Sequence, residues 1–264
     1  MTRYHRGMRL ALFALLIGCS APAKGTRPYA EPKVDDIVAR LAKARGEMTS
    51  FLADSTMDYW LGGQRAKGEV LVMGAVGAKV RFAALSPAGG SSMAEMACDG
   101  QNFVYVDYQN NCTLSGPCDQ RSIAQFFHIE LAPDDFLHLA VGTPPVLANP
   151  TGTSTWDANK GVEHVELKSA EGTQKLSIDM RDGHFDVVDA ELVGADGKTR
   201  WSVANSDFVD VKGHRVPNKS QFKQPDNKQD LIVDWGSSAN RDINNPIPAN
   251  KFQMSPPAGL QPCH

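Results

Sequence analysis

The chain is predicted to be mainly β (α+β), organised as one curved antiparallel sheet, and three observations predict it. A residue period of two recurs from Met57 to Trp235 in about ten or eleven separate runs, as half-buried strands require. The runs are joined by turn chemistry, above all Asp99-Gly100, Asp182-Gly183 and Asp196-Gly197, and Asp-Gly between alternating segments is a strong hairpin signal. Finally, open sheets approaching ~10 strands curl, split or close rather than stay flat. The 264 residues suit one such domain, residues 33–264, behind a short leader and tether.

The leader is residues 1–18. Arg3, Arg6 and Arg9 precede and enter an apolar run, 10–17, far shorter than the ~20 residues a helix needs to span a bilayer. The run ends in Leu16-Ile17-Gly18-Cys19, which resembles the lipobox of bacterial lipoproteins. That resemblance implies diacylglycerol on the Cys19 thiol, cleavage just before it and acylation of the new amine. Each buried methylene contributes ~0.8 kcal/mol, so one acyl chain holds weakly and two or three hold firmly. The competing reading is an ordinary secretory signal cut after Ala21-Pro22-Ala23, with Cys19 discarded. Both readings export the chain. Ser20 is not the Asp that favours the inner membrane in enteric-type sorting, so the lipobox reading expects an outer-membrane anchor facing the periplasm. Residues 19–32, with Pro22, Pro28 and Pro32 and no apolar period, read as a tether.

Loss of the leader removes three Arg and no acid, leaving 24 Lys+Arg against 30 Asp+Glu and a formal charge of −6. A mildly acidic, mixed surface carries no electrostatic footprint for nucleic acid and no polybasic membrane patch. Export also favours paired thiols. With Cys19 lipidated, four cysteines remain and allow three connectivities. The Gly/Pro-rich segment from Cys112 to Cys118 reads as a turn closing a Cys112–Cys118 bridge, which leaves Cys98 for Cys263. A zinc site is the rival, against which stand the lack of C-x-x-C and of a spaced Cys/His set.

The elements follow in order. Val34, Ile37, Val38, Leu41, Met48, Phe51 and Leu52 keep helical spacing and predict one amphipathic helix. Strands then run through 57–61, 68–73, 79–83, 92–98 and 103–106. Residues 122–127 and 132–142 predict two short helices: Pro133 suits a first turn, Asp134 and Asp135 the positive end of the dipole, and Gly142 the stop. Strands resume at 162–167, 175–180, 187–192, 201–208, 216–222 and 231–235. The tail 240–264, with five prolines, is expected to wrap a sheet edge.

This plan resembles the LolA and LolB superfamily of lipoprotein-localisation proteins. The resemblance is carried by Ala132-Pro133-Asp134-Asp135-Phe136-Leu137 before Gly142-Thr143-Pro144-Pro145, by Asp210-Val211-Lys212-Gly213-His214-Arg215-Val216-Pro217, and by Asn245-Pro246-Ile247 leading to Phe252 and Pro256-Pro257-Ala258-Gly259. It implies an incomplete β-barrel whose concave apolar face holds acyl chains beneath a helical lid. Placed on this chain, the lid is 122–141, and the cavity residues are Phe82, Phe103, Tyr105, Phe126, Phe127, Phe136 and Leu139. Plain core packing is the alternative for all of them. An exposed membrane loop like that of LolB-like receptors has no clear match; Val146 and Leu147, after Pro144-Pro145, are the candidates. RseB-like peptide sensors share the superfamily, so fold alone does not select a function.

Catalytic patterns are missing from the sequence: it has no H-E-x-x-H, G-x-S-x-G, P-loop or G-x-G-x-x-G. The histidines are scattered; His128 and His138, near the helical insertion, read as surface or capping residues. No cofactor or metal is expected. The expected function is non-enzymatic: binding of lipid or lipoprotein acyl chains on the concave face, with membrane contact through the N-terminal lipid. The alternative is docking of a peptide or envelope protein on a domain without a cavity.

Overall fold

A computed structural model describes residues 25–61, 64–86, 90–122, 132–224 and 229–263. Helix α1 (Val34–Glu47) carries Asp35 and Asp36 in its first turn and Arg45 in its last, as the helix dipole favours, and buries Ile37 and Leu41. It stops earlier than expected. Met48 is extended (φ −91°, ψ 114°), and Phe51 and Leu52 belong to strand β1 (Ser50–Leu61), where Phe51, Ala53 and Ser55 alternate inward. Twelve paired positions with β2 (Gln64–Ala75) outweigh the helical spacing of two residues.

From β1 the chain meanders through β2, β3 (Lys79–Leu85), β4 (Ser92–Asp99), β5 (Asn102–Asp107) and β6 (Cys112–Pro117). After α2 (Pro133–Ala140) a second meander follows: β7 (Thr151–Asp157), β8 (Val162–Ser169), β9 (Gly172–Asp179), β10 (Asp186–Gly194) and β11 (Thr199–Ser206). A small hairpin, β12 (Val209–Val211) with β13 (His214–Val216), leads to β14 (Lys219–Gln224) and β15 (Gln229–Asp234). The two meanders join where β15 pairs with β1, Met57 opposite Val233 and Tyr59 opposite Leu231. The result is one curved open sheet running from β6 through β1 and β15 to β7, an incomplete barrel whose two outer strands do not pair with each other.

Its inner face carries the core. Phe51, Val72, Phe82, Met96, Phe103, Val165, Leu176, Ala190, Val203 and Val233 are all buried there, and α1 and α2 lie against them. β16 (Arg241–Ile243) pairs with the start of β1, and β17 (Gln261–Pro262) runs parallel along β6, so the tail does cover a sheet edge. Arg241 is 1 % exposed and anchors the tail by donating to the carbonyls of Trp235, Pro217 and Gly236 and to the side chain of Asn218.

The cysteines pair differently from the sequence reading. The bridges are Cys98–Cys118 and Cys112–Cys263, with Cα–Cα distances of 5.8 and 4.9 Å. The reason is that Cys112 to Pro117 is not a turn but strand β6. At ~3.3 Å per residue its ends stand ~20 Å apart, beyond the ~7 Å that a disulfide tolerates. β6 and β7 are also the strands that the residue period misses. β7 is outermost and β6 is covered only by the two-residue β17, so CTLSGP and TGTSTWD need no apolar alternation.

Candidate functional site

The concave face holds an apolar slot between the sheet and α2. β1 and β2 contribute Phe51, Met57, Val72 and Gly74; β3 contributes Val80 and Phe82; β14 and β15 contribute Phe222, Leu231 and Val233, with Trp235 just beyond. Phe136, Leu137, Leu139 and Ala140 of α2 form the opposite wall. The sequence places that wall deliberately: Pro133 opens the helix, Asp134 and Asp135 occupy its first turn, and Gly142 ends it at φ +79°. α2 packs directly over Gly74, where a Cβ would stand in ordinary contact with Leu137, 3.5 Å from its Cβ.

The slot is tight. Its non-atom space, mouth included, is about 570 Å³, yet the room open to a water-sized molecule between its walls is about 40 Å³. Phe82 and Phe136 meet edge to face across it, ring centroids 5.8 Å apart. Polar contacts hold α2 from outside: Arg45 of α1 donates to Asp135 at 2.7 Å, and the Ala78 backbone N–H donates to Asp134 at 2.6 Å. His138, read from sequence as a surface or capping residue, is instead buried against the core side of α2. Burial, reinforced by the Arg45 charge, lowers its pKa to about 4, so the ring is neutral at pH 7. The floor is held by a buried relay: Trp235 Nε1 donates to Ser220 Oγ, Ser220 to Asn205 Oδ1, and Asn205 Nδ2 to the Val187 carbonyl. Every member is satisfied, which removes the penalty for polar atoms in an apolar wall.

Of the residues named from sequence, Phe82, Phe136 and Leu139 converge on the slot. Phe103 and Tyr105 share the inner face but pack further along, toward β6, outside the slot lining. Phe126, Phe127, His128 and Cys19 lie outside the described residues. Val146 and Leu147 do not form an exposed membrane loop. Leu147 is buried in the core, its N–H donating to Gln174 Oε1, and Val146 packs beside it. Two consecutive prolines steer this apolar pair inward over β9 rather than outward. Sequence reading missed Phe51, Met57, Phe222, Leu231 and Trp235 as wall residues. The signal available was their inward parity, but which strand faces α2 depends on the β1–β15 junction.

The outer face shows a second constellation. His164 Nδ1 lies 3.1 Å from Ser177 Oγ, and its Nε2 lies 3.1 Å from Asp157 Oδ2. This Asp-His-Ser order is that of a nucleophile relay. However, Ser177 sits on β9, between β8 and β10, where backbone N–H groups serve the ladders. The relay ties three strands together. Among the described residues no group of three or more His, Cys, Asp or Glu could hold a metal ion, and no helix is long and apolar enough to cross a membrane.

An open antiparallel half-barrel with helices on its concave apolar face is a LolA/LolB-like fold. Three solved structures are similar to it. A LolA superfamily protein from Nitrosomonas europaea aligns over 85 % of this chain and 99 % of its own, at 10 % identity and a TM-score of 0.54. A DUF1329 family protein from Desulfovibrio piger aligns over 86 % and 97 %, at 12 % identity and 0.55. An outer membrane lipoprotein-sorting protein domain from Vibrio parahaemolyticus aligns over 82 % and 94 %, at 9 % identity and 0.54. At such identities the likeness is one of fold. No protein-family model and no curated protein matches the sequence.

Proposed function

We propose that this is a lipid-anchored protein of the bacterial envelope that binds acyl chains, of a lipoprotein or a lipid, in the slot beneath α2. The observation that carries this reading is the slot itself: an uninterrupted apolar wall on the concave face of a fold shared with a lipoprotein-sorting domain. Acyl-chain binding there would be driven by removing apolar surface from water, at ~25 cal/mol per Å2. The protein contributes shape and exclusion of water, not chemistry. Because the walls nearly touch, a chain enters by displacing α2, which separates Phe136 from Phe82 and strains the Arg45–Asp135 contact. The anchor is Cys19, the location is the outer membrane with the domain in the periplasm, and the role is lipoprotein transport or insertion.

The test is titration of a fluorescent fatty acid into the soluble domain and into Phe136→Asp. Phe136 is only partly buried, so the variant is expected to fold, as read by circular dichroism, and to lose affinity at least tenfold. Unchanged affinity in a folded Phe136→Asp would remove the slot as the site. No uptake by the parent protein would move the function to docking of a protein partner.

A further inference from the structure

The first described residues are not a slack continuation of the tether. Residues 25–29 are clamped onto the edge of the sheet where β7 turns into β8. Trp156 Nε1 donates to the Gly25 carbonyl at 3.0 Å, and the Trp156 ring meets Tyr29 edge to face at 5.7 Å. Arg27 Nε lies 2.8 Å from Glu163 Oε1, and Ser154 Oγ donates to the other carboxylate oxygen at 2.8 Å. Glu163 is 0 % exposed. A fully buried carboxylate on an inward strand position is expensive unless a cation meets it, so Arg27 is bound to this spot as firmly as Glu163 is to the fold.

We propose that this clamp fixes which part of the domain meets the bilayer: the corner formed by the β7–β8 turn, with Asn159 and Lys160 exposed at its tip. The partner is the lipid surface itself, and the inference rests on the reading that Cys19 is acylated. Only six residue steps separate Cys19 from Gly25, a span of at most about 20–22 Å even when fully extended. Strand β8 alone is about 26 Å long, and its far end, at the β8–β9 turn, points away from the clamp. A leash of that length, starting at one end of β8, always keeps the β7–β8 turn within about 22 Å of the anchor, while the opposite turn is free to range to about 48 Å from it. Averaged over the orientations of the domain, the β7–β8 turn is therefore the nearer of the two to the bilayer.

The experiment uses the full lipidated chain in vesicles of phosphatidylethanolamine and phosphatidylglycerol, with a thiol-linked fluorophore at Asn159→Cys or Glu171→Cys. These positions lie in the turns at opposite ends of β8. Quenching by a headgroup nitroxide is expected to be several-fold stronger at Asn159→Cys. A Gly/Ser insertion after Ala23 that about doubles the root-mean-square reach of the leash is expected to erase most of the difference while leaving the clamp residues unchanged. Equal quenching at the two positions in the parent, or a difference that survives the insertion, overturns the proposal. Intact mass of the N-terminal peptide is measured first. Its lacking an acyl group at Cys19 overturns the anchor reading and this proposal together, whereas acylation with equal quenching overturns the proposal alone.

Discussion

The two wings of the sheet solve the same problem, how to finish an open edge, by different chemistry. The wing ending at β6 is covalently stapled. Cys98–Cys118 ties β4 to the residue after β6, and Cys112–Cys263 holds β17 along the outer side of β6. The wing ending at β7 has no disulfide. It is held by one buried ion pair that brings the N-terminal segment across β7 and β8, and by side-chain ties such as Asp157–His164–Ser177. The first device constrains the unfolded chain; the second acts only in the folded one. The β6 wing should therefore respond to redox conditions, and the β7 wing to loss of a charge.

Removing the Cys112–Cys263 bridge should have the largest effect. It closes a loop of 151 residues, for which the chain-entropy relation gives about 5 kcal/mol. The double variant Cys112→Ser/Cys263→Ser should lower the urea midpoint accordingly, and an unchanged midpoint would mean that β17 contributes nothing to the edge. Arg27→Ala comes next. It leaves Glu163 buried and unpaired, a loss of about 3–5 kcal/mol by the same urea assay, and Arg27→Ala/Glu163→Gln should recover part of it. If the single variant were neutral, the β7 wing would need another explanation.

Acid is the third probe, and it acts on α2, which lies against β1, β2 and β3. His138 is depressed to about 4 from an ordinary 6.5. The unfolded chain takes up a proton below pH 6.5 while the native one refuses it until about pH 4, so stability falls as pH drops through that window. The loss approaches about 3 kcal/mol at its lower end. His138→Gln should flatten the pH dependence of the urea midpoint between these values; an unaltered slope would show that the ring is already solvated. The smallest effect belongs to Arg65→Ala. Although Arg65 meets Asp58 at 2.5 Å across β1 and β2, the pair is exposed and screened, and no shift in midpoint should be resolved.

How much of this was legible in the sequence follows from the same contrast between wings. Interior strands such as Lys79–Leu85 must bury one face, so their period of two is visible and Phe82 could be named as a wall residue. Likewise Pro133, Asp134, Asp135 and Gly142 write the bounds of α2 in local chemistry. The strands that end the two wings bury little, so β6 reads as a turn, and the wrong disulfide partners follow from that one misreading. Half of the slot was hidden for a different reason. Phe51 reads as helix because it continues a helical spacing, and Leu231 and Trp235 face α2 only because β15 pairs with β1. That pairing joins residues about 175 apart and leaves no local trace. Buried Glu163 was invisible too, since an isolated Glu in an alternating strand normally faces water.

The pairing of β1 with β15 also sets an order of assembly. Each meander is built of neighbouring hairpins, so both wings close short loops, while their junction must bring the two ends of the domain together at a much larger entropic cost. Folding is expected to run as two local zippers and a late weld. Pulsed hydrogen exchange should protect the β2–β3 and β9–β10 ladders before the amides of Thr56 and Asp58, which point toward β15. Because β1 and β15 both line the slot, the slot comes into being only at that last step, and a half-folded chain has no such pocket for any ligand to enter too soon.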